Sequence, residues 1–455
     1  MLIPPKKVYE QDKLVYEKNK KCVIILNGDN MKVFFHTLGC KVNQYETQEM
    51  REQLTKNGYE ITEDENVADI FIINSCTVTS ESDRKTRQCV RHYKKKYPES
   101  TVVLTGCMPQ SFPEMAEKLN EADIVLGNKN NKYLVSSLNE FFANSCRTLN
   151  MEQHQSGEPL VSSGISRFEE RTRAILKIED GCDRFCSYCI IPKARGRVRW
   201  KPIEDIKAEV KALTDNGYRE IVLVGINLSA YGKSTELNLA DAVFAVSENE
   251  KVERIRLGSL EPDHITDGLI EKLAKCEKLC PQFHISLQSG CDKILKKMNR
   301  HYTSDEYYSL CQKLRKEFKD CTLTTDIMVG FPHETDEDFE ITKAFAQKVG
   351  FEKIHIFPYS RRRGTVADRM DAQIEKSVKA QRVNALSQVA EEIRNNFLKA
   401  QIGKELSVLI EEKQKNDVYF GYTPNYTPVK VSQGVVGEIQ KIKITNVRDD
   451  FCIGE

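Results

Sequence analysis

Three cysteines, Cys182, Cys186 and Cys189, fall within eight residues in the stretch GCDRFCSYCIIPKARGRVRW. Thiols at CxxxCxxC spacing in a chain without a secreted, disulfide-stapled character are metal ligands or reactive groups first. A structural zinc needs four ligands, and the next Cys or His along the chain is His264. Three thiolates suit a [4Fe–4S] cluster that leaves one iron open to a small molecule. A zinc loop is the alternative.

A second set is spread out. Cys40, Cys76 and Cys107 each follow an apolar run: VFFHTLGC, IFIINSC and VVLTGC. In a parallel sheet the carboxyl ends of all strands share one edge, so three distant cysteines can converge there. The alternative is three ordinary buried thiols. The remaining cysteines carry no visible partner motif.

The elements that must position these residues are legible as short apolar runs between amphipathic stretches. Residues 1–30 are charged, without strong periodicity, and read as an extension with no assigned role. KVFFHT, ADIFIINS, TVVLTG and ADIVLG predict a parallel-sheet α/β domain over residues 31–150. The polar stretch 151–170 reads as a linker. Over 171–400, AILKIED, EIVLVGIN, RIRLGSL, QFHISLQS, LTTDIMVGF and KIHIFPYS predict six βα units, an open (βα)6 part-barrel closed off by a helix near 375–400. The chemistry of such a barrel sits at the strands' carboxyl ends, and the CxxxCxxC loop follows the first of these strands. Residues 401–455 change character to short strands with turns and predict a small antiparallel, OB-like β-barrel.

The whole chain sets the bounds. It has 455 residues, 40% hydrophobic and 30% charged, with net charge +1 and 15 cysteines. That is enough for several cores, with no global drive toward nucleic acid or membrane. No stretch approaches the roughly 18 apolar residues of a membrane span, and no signal peptide is visible. A cytoplasmic protein without a membrane partner, and a monomer, is the expectation.

Taken together, FHTLGCKVNQYET, GCDRFCSYCIIPKARG, ISLQSGCDKILKKMNRHYT, DIMVGFPHET and FPYSRRRGT resemble the radical S-adenosylmethionine methylthiotransferase family, over residues 31–455. The last segment resembles the TRAM RNA-binding domain. The resemblance implies two [4Fe–4S] clusters, one on Cys182, Cys186 and Cys189 and one on Cys40, Cys76 and Cys107. It implies S-adenosylmethionine as both methyl donor and radical source. It implies addition of a methylthio group to an unactivated carbon, in the RNA-modifying branches C2 of an adenine. Both clusters must then flank one base.

Asn227, Ser286, Gln288 and Asp326, at or near barrel strand ends, are candidates for holding S-adenosylmethionine. Lys193, Arg195, Arg197, Arg199 and Lys201 alternate, and an extended segment would put them on one face for phosphate contacts. RHYKKKY and SRRRG add local charge. Tyr419, Phe420, Tyr422 and Tyr426 are candidates for stacking on bases, or for barrel core. LGCKVNQYE and CIIPKARGRVR look most like the branch acting on N6-threonylcarbamoyladenosine beside the tRNA anticodon. The isopentenyladenosine and ribosomal-protein aspartate branches are alternatives, as is a non-catalytic RNA-binding iron–sulfur sensor. A threonyl carboxylate calls for a guanidinium, and the candidates are Arg195, Arg197, Arg361, Arg362 and Arg363. Expected partners are a tRNA anticodon stem-loop and an electron donor such as flavodoxin or ferredoxin. Trp200 and Val366 depart from the residues usual in the family.

Overall fold

The protein is described by a computed structural model covering residues 15–18, 21–24, 30–168 and 172–455. Within the 1–30 extension, Val15–Lys18 and Lys21–Ile24 pair as an antiparallel hairpin. The rest of that segment, Asn30 aside, lies outside the described residues. The chain forms two compact units. The first runs to His154 and also takes in Lys193–Arg195; the second holds Gln155–Pro192 and Gly196–Glu455.

The first unit is built on a six-stranded, all-parallel sheet. Its spatial order is Glu60–Ile61, Lys32–Thr37, Ile70–Ser75, Thr101–Gly106, Ile124–Leu126, Thr148–Asn150. Ile70–Ser75 and Thr101–Gly106 are buried at every position, as expected of strands covered on both faces. One core cluster, around Val33, Leu54 and Ile72, fills one side; another, around Phe71, Val90 and Leu104, fills the other. Four of these strands are legible as apolar runs. The two edge strands, of two and three residues, are too short to leave a periodic signal. The order reverses beside Lys32–Thr37, because the chain steps to one side for Glu60–Ile61 and then crosses back. That reversal opens a crevice at the carboxyl ends of Lys32–Thr37 and Ile70–Ser75.

The second unit carries six parallel strands in chain order: Arg173–Lys177, Glu220–Val224, Arg254–Leu257, Gln282–Ile285, Thr322–Val329 and Lys353–Pro358. The third is interrupted at Gly258 and resumes as Ser259–Leu260, which pairs with the fourth. The sheet therefore continues through the break, and the six βα units stand as expected. The first and last strands are its two edges, so the barrel is open. Helices Ser304–Glu317 and Asp336–Val349 begin with capping boxes on Thr303 and Thr335, which satisfy the first free amides. Helix Lys376–Lys399 follows the last strand.

Five strands between Glu405 and Gly454 close into a small barrel around Val408, Ile410, Val429 and Ile444. It docks on the amino-terminal ends of the large barrel's strands. Arg254 donates to Ser407 O and Tyr422 O at 3.1 and 3.2 Å. Buried Arg256 donates to Glu220 and Pro424 O, both at 2.9 Å. Arg173 pairs with Glu411 at 2.9 Å. Among the described residues no helix is long and apolar enough to cross a membrane.

The linker is tied down where it is described. Ile165 and Phe168 are buried, and their amides donate to Glu209 at 3.0 Å and Tyr218 Oη at 2.8 Å.

Candidate functional site

In the first unit, Cys40, Cys76 and Cys107 follow three adjacent strands at the crevice. Cys40 is the N-cap of helix Lys41–Lys56, and Cys107 is the first residue of helix Cys107–Ser111. Helix amino termini favour thiolates and anionic clusters. Gly39 shows how close the loops come: with φ +109°, a Cβ there would lie 2.8 Å from Cys76 Cβ and 3.1 Å from its Sγ. Asn43 is the hub. Its Nδ2 donates to Leu38 O at 2.8 Å and Ser75 O at 2.9 Å, tying the Cys40 and Cys76 loops together. Its Oδ1 lies 3.8 Å from Cys40 Sγ and 3.9 Å from Cys107 Sγ. Burial raises the Cys76 thiol, and it pushes the Cys107 thiol up to about 12, with Cys40 and Cys76 adding to the latter. Thiols so placed need a cation to ionise; Arg195 favours the thiolate of Cys107, and a bound iron would do so for all three.

In the second unit, the loop after Arg173–Lys177 brings Cys182, Cys186 and Cys189 together. Gly181 makes the turn with φ +88°; a Cβ there would lie 2.0 Å from Arg197 O. Cys182 N donates to Gly196 O at 3.0 Å and Cys189 N to Cys186 O at 2.9 Å, folding the loop back. Burial raises the Cys182 thiol and pushes Cys189 up to about 12, reinforced in both by the neighbouring thiols of the set. Arg300 Nη1 lies 3.3 Å from Cys186 Sγ, and its Nη2 donates to Ser286 O at 3.0 Å and to Glu261 at 2.6 Å. Gly181→Ala is expected to displace the loop; if each cysteine set holds a four-iron cluster, the iron content of anaerobically reconstituted protein falls by about half. Unchanged iron would count against this loop as a ligand set.

Among the described residues no group of three or more His, Cys, Asp or Glu side chains is drawn in around a single ion. Cluster cysteines each bind a different iron, so their sulfurs stand further apart than the ligands of one ion. Within each set the thiols lie near enough to raise one another, and unfilled polar groups border the second set. Asn227 Nδ2 and Oδ1, Gln288 Oε1 and Glu179 Oε1 are buried with no hydrogen-bond partner. Each unmade bond costs about 1–3 kcal/mol, which a polar ligand would recover. Glu179 Oε2 accepts from Asn227 N at 2.7 Å, and burial holds the Glu179 carboxyl well above the usual range. Ser286 and Gln288 follow the fourth strand. Asp326 lies within its strand rather than at its end, 3.3 Å from His284 Nε2.

The arginine candidates divide. Arg195 is fully buried and not available to substrate. It belongs to the first unit, where its Nε donates to Cys107 Sγ at 3.2 Å, and its terminal nitrogens to Asn43 Oδ1 at 2.7 Å and to both Glu46 oxygens. Arg361 is exposed but held by Asp368 at 2.6 Å, and Arg362 is buried. Arg363 and Arg197 are exposed, the latter over the Phe185 ring at 4.7 Å and 3.3 Å from Asp183.

The alternating basic run is not one exposed face. Lys193 and Arg195 lie in a short helix, while Arg199, in the strand Arg199–Trp200, pairs with Glu158 at 3.2 Å and Lys201 with Glu209, both cations buried. Within RHYKKKY, Lys94 and Lys96 pair with Asp123 and Glu65. Tyr422 and Tyr426 do not offer themselves to bases. They stack on each other at 4.4 Å with Arg173 over both rings, inside the contact between the small and large barrels. Tyr419 packs against the small barrel's core.

Asn43, Glu46, Glu179 and Arg300 were not singled out from sequence. Asn43 and Glu46 stand three and six residues after Cys40, a helical spacing that was there to be used.

Three family models match: the Radical SAM superfamily over residues 176–346, Uncharacterized protein family UPF0004 over 32–127 and the TRAM domain over 399–455. The chain is 37% identical over 426 residues to a threonylcarbamoyladenosine tRNA methylthiotransferase of Thermotoga maritima, covering 92% of this chain and 96% of that one. A Bacillus subtilis protein of the same name is 35% identical, covering 90% and 93%. A Clostridium botulinum tRNA-2-methylthio-N(6)-dimethylallyladenosine synthase is 36% identical, covering 95% and 99%. Among solved structures, the radical S-adenosylmethionine methyltransferase TsrM of Kitasatospora setae, bound to cobalamin and a [4Fe-4S] cluster, shares the fold. The TM-score is 0.52 at 12% identity, over 72% of this chain and 75% of that one.

Proposed function

The chain belongs to the radical S-adenosylmethionine tRNA methylthiotransferase family, and we propose that it adds a methylthio group at C2 of N6-threonylcarbamoyladenosine next to a tRNA anticodon. The observation that carries this reading is the pair of three-cysteine sets, each at the carboxyl ends of its own parallel sheet. Cys182, Cys186 and Cys189 would hold one [4Fe–4S] cluster, and Cys40, Cys76 and Cys107 a second. When bound, the two clusters with S-adenosylmethionine supply radical chemistry at an unactivated C–H and a site for the incoming sulfur.

The chain's own residues do the positioning. Asn227, Gln288 and Glu179 offer S-adenosylmethionine the unfilled hydrogen bonds of the large barrel. Burial raises the Glu179 carboxyl well above the usual range, which favours the form that can donate from Oε1. Arg300 fixes Cys186 and the Ser286 turn at once. The small barrel is the tRNA anchor in this reading. With Tyr422 and Tyr426 committed elsewhere, its exposed groove of about 810 Å³ is bordered by Lys415, Lys430, Arg448 and Phe451, with Lys430 Nζ 4.0 Å from the Phe451 ring centroid. Cations beside an aromatic ring suit phosphates and a stacked base.

Similarity to named relatives divides between two adenosine modifications, so the substrate rests on chemistry. A threonyl carboxylate needs a cation, whereas an isopentenyl group needs an apolar wall. Arg363, exposed just past the last barrel strand, is the best-placed guanidinium, with Arg197 second. The test compares anticodon stem-loops carrying N6-threonylcarbamoyladenosine or N6-isopentenyladenosine. The first should be the preferred substrate. Arg363→Ala should lower kcat/KM on it about 10- to 100-fold, the value of a charged hydrogen bond, and leave the isopentenyl substrate unaffected. Equal or faster reaction of the isopentenyl stem-loop overturns the assignment.

A further inference from the structure

We propose that Arg195 is a positioning residue for the cluster on Cys40, Cys76 and Cys107, setting both the orientation of Cys107 and the reduction potential of that cluster. The inference rests on the two-cluster reading above. Arg195 follows the last cysteine of the CxxxCxxC set by six residues, yet its side chain serves the other set. It is among the largest fully buried side chains. Its Nε–H donates to Cys107 Sγ at 3.2 Å. Its terminal nitrogens donate to Asn43 Oδ1 at 2.7 Å and to Glu46 Oε2 at 2.9 Å, with a second short contact to Glu46 Oε1.

The guanidinium fork is planar, so fixing both terminal nitrogens fixes the direction of the Nε–H bond. Three oxygens, from Asn43 and Glu46, therefore aim one donor at one sulfur. The partners are not incidental: Asn43 also ties down the Cys40 and Cys76 loops, and Glu46 lies one helical turn beyond it. The backbone cooperates, with Asn128 Nδ2 donating to Ala194 O at 2.8 Å and Lys193 Nζ over the Phe112 ring at 4.9 Å, so the Lys193–Arg195 segment is held at both side chain and backbone. A buried ion pair contributes little net stability against an apolar substitute. A hydrogen bond to a cluster sulfur, by contrast, directly tunes the cluster. It favours the more negative reduced state and raises the potential.

The pair also makes a prediction of opposite signs. In Arg195→Gln the cation and its bond to Cys107 are lost and Glu46 stays, so the potential of the first-unit cluster should fall. In Glu46→Gln the cation stays and one negative charge beside the cluster is removed, so that potential should rise. The experiment uses full-length, anaerobically reconstituted protein and follows each cluster by redox titration with electron paramagnetic resonance. Signals are assigned with a Cys182→Ala, Cys186→Ala, Cys189→Ala protein, which retains only the first-unit cluster. The other cluster should keep its potential in both single variants. Should Arg195→Gln fail to load iron, Arg195→Lys keeps the charge but not the fork, and a fall in potential there supports the inference equally. A first-unit cluster with unmoved potential in every loaded variant, or equal shifts of both clusters, overturns it. Wild-type protein with a single cluster overturns the two-cluster reading and this inference with it.

Discussion

Changing Cys182, Cys186 and Cys189 together to alanine is expected to abolish reductive cleavage of S-adenosylmethionine completely, while about four irons per chain remain. The loop that carries them is at the working end of the large barrel, beside the unfilled polar atoms of Asn227, Gln288 and Glu179. No other described side chain there replaces a lost thiolate. Changing Cys40, Cys76 and Cys107 should produce the mirror image: about four irons again, no methylthiolated product, but some uncoupled cleavage of S-adenosylmethionine to 5′-deoxyadenosine. The reason is spatial. Each set belongs to its own sheet, with its own turn glycine and its own hydrogen-bonded loops, so one can be emptied while the other still folds. Iron analysis and chromatography of the nucleoside product settle both halves. A wild-type iron content of about four per chain, or full cleavage in the first variant, would defeat the expectation.

The second large effect is on stability. Arg256→Ala should destabilise the protein by about 3–5 kcal/mol, the cost of leaving a buried partner charge. Arg256 is 2% exposed and donates to Glu220, itself 1% exposed, as well as to Pro424 O and Thr423 O in the small barrel. Its guanidinium also lies 4.7 Å from the Tyr426 ring centroid. Removing it strips the small barrel of two backbone anchors and one ring contact. The double variant Arg256→Met, Glu220→Leu removes both charges and should recover part of the loss, because apolar pairs of similar volume often match buried ion pairs. Urea unfolding measures both. A midpoint change equivalent to under about 1 kcal/mol in the single variant would show that Arg173 and Arg254 already neutralise Glu220.

Much of the frame was readable before any coordinates. Runs such as IFIINS and TVVLTG are apolar throughout because both faces of their sheet are covered, and that pattern survives without context. The CxxxCxxC loop is local, so its spacing alone was enough to raise the expectation of a three-thiolate site. What escaped was long-range. Arg195 reads like its neighbours Arg197 and Arg199, and nothing local says that one is buried against Cys107, one exposed and one paired with Glu158. Tyr422 and Tyr426 have the composition of a base-stacking surface, but docking of the two barrels turned them inward. Asp326 was expected at or near a strand end, although the run LTTDIMVGF already spans it; it sits mid-strand in Thr322–Val329. For the arginines and tyrosines the missing information was which distant element packs against the residue.

The Lys193–Arg195 insertion sets a timetable for synthesis. Glu46 and Arg195 are 149 residues apart. At ribosomal speeds of about 5–20 residues per second, the nascent chain carries Glu46 for roughly 7–30 s before its cation exists. The first sheet is complete in the chain once Asn150 has been added, so it can fold in that interval, but around a pocket that still lacks the Arg195 guanidinium that donates to Glu46 and to Cys107. The CxxxCxxC set, ending at Cys189, is translated before that pocket can close. In the two-cluster reading, iron delivery to the first sheet in its finished form is therefore a late event, falling after the cysteines of the second set have already been made.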